Sequence, residues 1–414
     1  MPTTTLSIDF TDREIQAHPY PLYKRLRAEA PVFFNEPTRS WMVSRHEDIV
    51  TLLNDPRMSS ARTEATFAVL PDDVKQELAP LRHILGSRML LTDPPDHTRL
   101  KNLVMKAFSA RTTETRRQRI QAFADGFIDQ VAERGEMDVM ADYAVHLPRW
   151  VIGDLLGVPT QDQAQFVEWA HDQVLVYDRA GTANDRVNVM RQGQKAMLEM
   201  KAYLEEVIEE RRRDPREDLL TQLIQAEEQG DSLSNDELII MVVALLVGGN
   251  NSTAHLIGDA VLTLLRHPDA LARLKADPTL IRPAVEEVMR YESPVQTTSR
   301  VVKERMEFGG CTFEKGDNLN VLLGSGNRDE AQFEEPDTFI IDRHPNRHLT
   351  FSHGPHYCLG TSVARATAQT AILTLIQRLD DLQLVSDTVE WIPGFAFHSP
   401  KTLPVTFRPT SALG

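Results

Sequence analysis

Apolar residues recur at helical spacing through most of this chain. Tyr20–Ala30, Thr115–Arg134, Ala196–Arg213 and Asp218–Gln229 each show the three-to-four-residue period of an amphipathic helix. Shorter runs rich in β-branched and aromatic residues predict strands at Val32–Phe34, Trp41–Val43, Val301–Met306 and Leu319–Leu323. Phe308-Gly309-Gly310-Cys311-Thr312-Phe313 reads as a hairpin, with Cys311 a small structural residue. Helical pattern dominates, so the prediction is a mainly α fold with small β-sheets. Residues 1–18 read as an irregular N-terminal segment. The charged cluster from Glu205 to Arg213 reads as a solvated helix end without a function.

The strongest helical signal begins at Ser234. Ser234 with Glu237 is a capping-box pattern, the apolar period then runs towards Arg266, and Pro268 marks a stop. The most apolar run, Leu238 to Val247, has ten residues, which suits a buried core helix and not a membrane span. Behind it stands Gly248-Gly249-Asn250-Asn251-Ser252-Thr253. Each Gly in a helix interior costs about 1 kcal/mol relative to Ala. Two readings explain the cost: a loop between two helices, or a bent helix whose gap holds a small molecule and ordered water.

Length and charge narrow the class. With 414 residues and no linker, repeat or low-complexity tract, the expectation is a single large domain over 1–414, large enough to enclose a cofactor. A net charge of −15 argues against a general nucleic-acid binder. The two cysteines, Cys311 and Cys358, form no Cys-x-x-Cys, so a zinc ribbon, covalent haem attachment and a disulfide framework lack support. Met1-Pro2-Thr3-Thr4-Thr5 has no basic start before an apolar stretch, so no signal peptide is expected and the cytoplasm is.

The run Phe351-Ser352-His353-Gly354-Pro355-His356-Tyr357-Cys358-Leu359-Gly360 precedes an Ala-rich helical pattern. One reading is a structural cysteine in a glycine-containing turn. The other is a loop presenting a lone thiolate to a metal, which deprotonates a coordinating thiol outright. A helix N-terminus just after the sulfur stabilises its charge, and Gly354 and Gly360 allow a sharp turn and close approach to a flat group. At these residues the chain resembles the cytochrome P-450 family, the haem-thiolate monooxygenases. The resemblance implies the cytochrome P-450 fold around haem b (iron protoporphyrin IX), Cys358 as the metal ligand, and Phe351 and Gly360 against the ring system. An axial thiolate favours O–O cleavage. The family pattern has Gly directly after the Phe, where this chain has Ser352.

The same resemblance favours the bent helix. Gly248 and Gly249 match the family's distal helix, but its acid position holds Asn251 and its Thr position holds Ser252. Asn can hold water but offers no titratable proton, and Ser keeps a hydroxyl on a freer rotamer. Gly249, Asn251 and Ser252 are therefore the expected catalytic set of a modified proton relay. Glu287 and Arg290, at i and i+3, read alone as an exposed ion pair. The resemblance makes them a structural triad with Arg343. Asp93 reads as a helix cap with Pro94 at the first helical position. His97 and Lys101 then share a face as ordinary polar residues, whereas the resemblance makes them haem-propionate donors with Arg300 and His356. It also implies a substrate pocket lined by Ile84 to Leu90, Phe166 to Tyr177, Val243 to Val247, Val295 to Thr297 and Phe395 to Phe397. Within it Val243, Val247, Val295, Thr297 and Phe395 are singled out, although each also reads as core. Phe395 and Phe397 have hairpin spacing.

The implied activity is O2-dependent oxidation of an apolar small molecule. No flavin or pyridine-nucleotide fingerprint is present, so electrons from NAD(P)H would come through a ferredoxin or flavodoxin and its reductase. Arg99, Lys101, Lys106, Arg347 and Arg365 are the expected positive docking patch of a monomer with no nucleic-acid or membrane partner. Atypical C–C or C–N coupling, or non-catalytic haem binding, are the alternatives.

Overall fold

A computed structural model describes residues 4–107, 116–162, 183–228 and 233–409, with 165, 166, 168, 169 and 172 between them. The chain separates into two compact units. One comprises Met1–Ser59, Thr115–Leu147 and Ser252–Gly414; the other comprises Ser60–Glu114 and Pro148–Asn251.

The first unit carries the sheets. Its strands are β1 (Thr5–Leu6), β2 (Val32–Asn35), β3 (Ser40–Val43), β4 (Met58–Ser59), β5 (Glu136–Asp138), β6 (Thr297–Val302), β7 (Met306–Phe308), β8 (Cys311–Phe313), β9 (Asn318–Leu322), β10 (Gln383–Leu384) and β11 (Pro404–Thr406). Six of them form one sheet in the order β1-β2-β3-β9-β6-β4. Antiparallel β2 and β3 pair Val32 with Val43, and parallel β3 and β9 pair Trp41 with Leu319. The β-branched and aromatic side chains of these strands bury with Ile49, Leu52 and Phe313.

The hairpin expected at Phe308–Phe313 is present, its two turn glycines at φ 57° and 77°. These are the values a two-residue type I′ turn requires. Cys311 is buried beside the Val32 carbonyl. The expected strand Val301–Met306 breaks in two, because Lys303 leaves the ladder to donate its N–H to the Arg57 carbonyl. The N-terminal segment is not irregular throughout. Thr5 and Leu6 pair with Phe34 and Asn35, and Asp12 caps a helix over Arg13–Ala17 by accepting from the N–H groups of Glu14 and Ile15.

Two helices of this unit matter for the site. Thr361–Arg378 is buried on most sides, and Gln121 donates to Thr374 at 2.8 Å while Tyr143 donates to the Ala371 carbonyl at 2.9 Å. Ile281–Tyr291 is strongly one-sided, with Ala284, Val285, Val288 and Met289 inside.

The second unit is helical. Its longest helix, Ala183–Arg213, extends the expected Ala196–Arg213 by four turns at the N-terminal end. The expected helix at Asp218–Gln229 is Leu219–Glu228, and Gln229 lies outside the described residues. The charged end of the long helix is not wholly solvated. Arg211 is only 1% exposed, donates to Asp218 at 2.8 Å and to the Gly157 carbonyl at 2.7 Å, and so locks that end in place. Ser234 caps Asn235–Gly248 through the full reciprocal capping box. Asn235–Arg266 as a whole is long and apolar enough to cross a membrane by composition, but 56% of its most apolar window is buried in protein.

Candidate functional site

The Cys358 loop is closed by its own backbone. The Cys358 N–H donates to the Phe351 carbonyl at 3.0 Å, and Tyr357 donates to Gly354 at 3.0 Å. Gly354 has φ 73°, and a Cβ there would lie 2.5 Å from the Leu53 carbonyl oxygen. Only glycine fits that approach. Ser352, the departure from the family pattern, sits at φ 64°, the left-handed region that favours glycine. Its Oγ has no hydrogen-bond partner among the described residues. The loop presents Cys358 exposed, two residues before Gly360 caps Thr361–Arg378. A thiolate there gains from the positive end of the helix.

Behind this loop is a saturated polar frame. Glu287 and Arg290 are both 0% exposed and pair through two parallel bonds of 2.8 Å. Arg343 Nε lies 3.1 Å from both Glu287 oxygens, the Ile340 N–H donates to Oε1, and Asn346 donates to Oε2. Arg290 spends its remaining donors on the carbonyls of Asn327, Pro336 and Thr338. Buried charges persist only when paired and bonded in this way. The expected triad therefore forms, deeply buried and not as an exposed ion pair. Asn327 links it to the loop, accepting from the Leu349 N–H at 2.6 Å and donating to Thr350 at 3.0 Å.

Glu286 adds a second link that the sequence reading did not contain. It accepts two bonds of 2.7 Å from Arg365 and one of 3.1 Å from His348. Arg365 also lies 4.6 Å over the Phe351 ring. Burial alone would raise the Glu286 carboxyl, but His348 and Arg365 hold it down at about 2. Arg365 is thus committed to the cysteine loop, and Arg99 pairs with Glu237. Both are corrections to the expected docking patch, since paired cations offer a partner little charge. Arg347 is exposed, Lys101 is half-exposed, and Lys106 is helical in backbone.

The helix is interrupted by one residue, not by a loop. Helix Asn235–Gly248 ends at Gly249 and Asn250–Arg266 resumes at once. Asn250 marks the cause. Its side-chain amide donates to the Leu246 carbonyl one turn back at 2.5 Å, and a side chain inserted into the ladder opens a helix. Its Oδ1 is buried with no partner among the described residues. A Cβ on Gly249 would lie 3.1 Å from Ile152 Cδ1, so glycine permits tight packing there, whereas Gly248 faces open space. Asn251 and Ser252 are half-buried.

The remaining residues are placed as follows. His97 is buried in the first turn of Asp96–Ala107, with Lys101 one turn on. That helix starts later than the Asp93-Pro94 pattern implies. The Asp93 carboxylate accepts from the Ser60 N–H at 2.8 Å, Pro94-Pro95 forms a turn with a cis bond, and the helix begins at Asp96. Arg300 is buried on β6, donating to the Ser299 carbonyl at 2.8 Å and to Thr298, and His356 ends a short turn before Cys358. Val243 lies in the packed core, Val247 and Thr297 are half-buried, and Val295 bridges to Phe397. Phe395 packs on Phe10 at 5.2 Å within an N-terminal cluster, while Phe397 is exposed. Ile84 is core, Leu90 is exposed, and most of Phe166 to Tyr177 lies outside the described residues.

Within the first unit, an exposed thiol at a helix start, open space where a Cβ on Gly360 would stand, and the buried guanidinium of Arg300 fit an iron-bearing group with acidic edges. Within the second, His97 is a buried basic side chain and Gly248 faces open space. Comparison with known proteins agrees. Residues 42–392 match the family model described as Cytochrome P450. The Biotin biosynthesis cytochrome P450 of Bacillus subtilis (strain 168) is 37% identical over 408 residues, covering 98% of this chain and 100% of that one. A crystal structure of P450BioI in complex with hexadec-9Z-enoic acid ligated acyl carrier protein superposes with TM-score 0.87 at 36% identity, covering 96% and 99% of the two chains. The myxobacterial cytochrome P450 CYP267B1, solved with myristic acid, gives 0.85 at 37% identity, covering 96% and 98%. The chain belongs to the cytochrome P450 family, monooxygenases that bind haem b through a cysteine thiolate.

Proposed function

We propose that this monooxygenase inserts one oxygen atom of O2 into an apolar small organic molecule, with Cys358 as the iron ligand. The observation that carries the reading is the Cys358 loop, an exposed thiol on a turn closed by its own backbone and braced by one buried and one half-buried ion-pair system. When bound, haem supplies O2 activation. The chain's residues do the rest. His97, Lys101, Arg300 and His356 are the donors to its carboxylates, and Phe351 and Gly360 bound the ring. Ser252 donates a hydrogen bond to water in the opened turn, Asn251 orients that water, and Gly249 keeps the backbone in place. Val243, Val247, Val295, Thr297, Phe395 and the exposed Phe397 are the proposed contacts to substrate. Relatives solved with fatty-acyl ligands support an apolar chain as substrate. Residues 1–414 act as one cytoplasmic, monomeric domain. Electrons arrive from NAD(P)H through a ferredoxin or flavodoxin with its reductase, docking near Arg347.

Ser252→Ala tests the relay. Product formed per NAD(P)H consumed should fall several-fold while the haem spectrum stays unchanged. Unchanged coupling would remove Ser252 from the relay. The missing carboxylate at 251 keeps a second reading, oxidative C–C or C–N coupling. Labelled O2 separates them, since only monooxygenation places label in the product.

A further inference from the structure

Asp259 lies seven residues beyond Ser252 on helix Asn250–Arg266 and is 0% exposed. Neither carboxyl oxygen has a hydrogen-bond partner among the described residues. A bare buried carboxylate costs several kcal/mol, so a retained one needs a reason. His255, one turn nearer Ser252, likewise has no partner for Nδ1. Offsets of three and seven residues place Ser252, His255 and Asp259 on one helix face, about 4.5 Å and about 10.5 Å apart along the axis.

The far end of this column meets further polar groups. Glu292 ends the Ile281–Tyr291 helix with its side chain 15% exposed, and its Oε2 lies 3.6 Å from His398 Nδ1. Tyr20 donates to the Glu292 carbonyl at 2.7 Å, and Arg328 lies 4.2 Å over the Tyr20 ring. Gln296 donates to Tyr20, and its own Oε1 has no partner among the described residues. His398 is stacked on Trp391 at 3.8 Å, and the His255 ring stands edge-to-face with Phe397 at 5.5 Å. A Cβ on Gly258 would lie 3.7 Å from Ser399 Oγ, so this stretch of helix packs on the 397–399 segment. Burial, and the charge of Glu292 beside it, push the Asp259 carboxyl well above the usual carboxylate range. Burial drives the His255 imidazole down to about 4, with His398 adding to the effect. At neutral pH one group holds a proton and the next is an empty acceptor, and a water bridging unpartnered polar atoms is the usual occupant of such a place.

We propose that Asp259 is a positioning residue for the reaction, a buried proton store that feeds the Ser252 turn through His255 and intervening water. It supplies the proton source that Asn251 cannot. This rests on the monooxygenase reading above. The balance is simple. The carboxyl O–H proton passes towards Ser252, one proton from solvent replaces it past Glu292, and nothing on the column is oxidised or reduced.

Two variants test it in the holoenzyme. Asp259→Asn is near-isosteric but holds no transferable proton, and Asp259→Glu keeps one. The Asn variant should retain substrate binding and the carbon monoxide spectrum. It should lose roughly tenfold in turnover and coupling, show a raised solvent isotope effect, and lose the alkaline limb of its pH profile. The Glu variant should recover most of each. Infrared spectra of the resting protein should show a protonated carboxyl band at pH 7 that is absent in the Asn variant. Wild-type coupling and isotope effect in Asp259→Asn, or no such band, would overturn the proposal. An abnormal carbon monoxide spectrum in the unaltered protein would instead sink the monooxygenase reading and leave the infrared result standing.

Discussion

The region behind the cysteine loop and the region along the interrupted helix are built on opposite rules. Around Glu287 every carboxylate oxygen and nearly every guanidinium nitrogen has a partner, and the bonds run on through Asn327 to Thr350. Along the helix from Asn250 to Thr263, Asn250, His255, Asp259 and Thr263 each leave buried polar atoms without a partner among the described residues. A saturated network rigidifies, and an unsatisfied one is costly unless something transient completes it. The difference teaches a division of labour. On the proposed reading, the cofactor's ligand is held by a saturated frame, and water and protons are handled where the protein leaves its bonds unfinished.

That contrast can be broken from either side. The largest effect is expected from Glu287→Ala, which strands Arg290 and Arg343 against buried surface. It should cost about 3–5 kcal/mol and yield little haem-loaded protein, read by haem content and thermal melting. Acid should act next through Glu286. Its folded pKa, about 2, lies below the ordinary 4.5, so its contribution is full above pH 4.5 and disappears as pH falls towards 2. On the order of 3 kcal/mol is lost in that window. Melting curves should fall steeply there, and less so in Glu286→Gln, which has already lost the pairing. Gly354→Ala should cost about 2 kcal/mol or more, from the left-handed backbone and the Leu53 carbonyl, and should loosen the thiolate before the whole fold. The smallest effect has the opposite sign. Ser352→Gly should raise stability by roughly 0.5–1 kcal/mol, because it relieves a left-handed non-glycine residue whose hydroxyl bonds to nothing among the described residues.

Much of this was legible in the sequence where it depends on local chemistry. The Ser234 capping box and the Gly309-Gly310 turn concern residues within a few positions of one another, and each took the expected form, whereas the Glu287–Arg290 spacing gave the pair but not its burial. What escaped depends on partners far away in the chain. Asp93-Pro94 has the look of a helix start, but the helix begins at Asp96 and the Asp93 carboxylate reaches back to the Ser60 N–H. Arg211 looks solvated until Asp218 folds back on it, and Arg365 looks available until Glu286 is placed beside it. Phe395 carries the same spacing signal as Phe397, yet it packs half-buried against Phe10. Asn250 was hidden by its neighbours, since the motif directs attention to 251 and 252. A helix-interior Asn one turn after an apolar residue was the available signal. Asp259 had one too, as a lone acid inside the apolar pattern of a core helix.

The central claim is that Cys358 is the thiolate that holds haem iron, and its most direct test is the difference spectrum of the dithionite-reduced protein with and without carbon monoxide. The account predicts the strongly red-shifted Soret band of thiolate-ligated haem, lost in Cys358→Ala. An unshifted Soret band from intact protein, or a red-shifted band that survives Cys358→Ala, would contradict it.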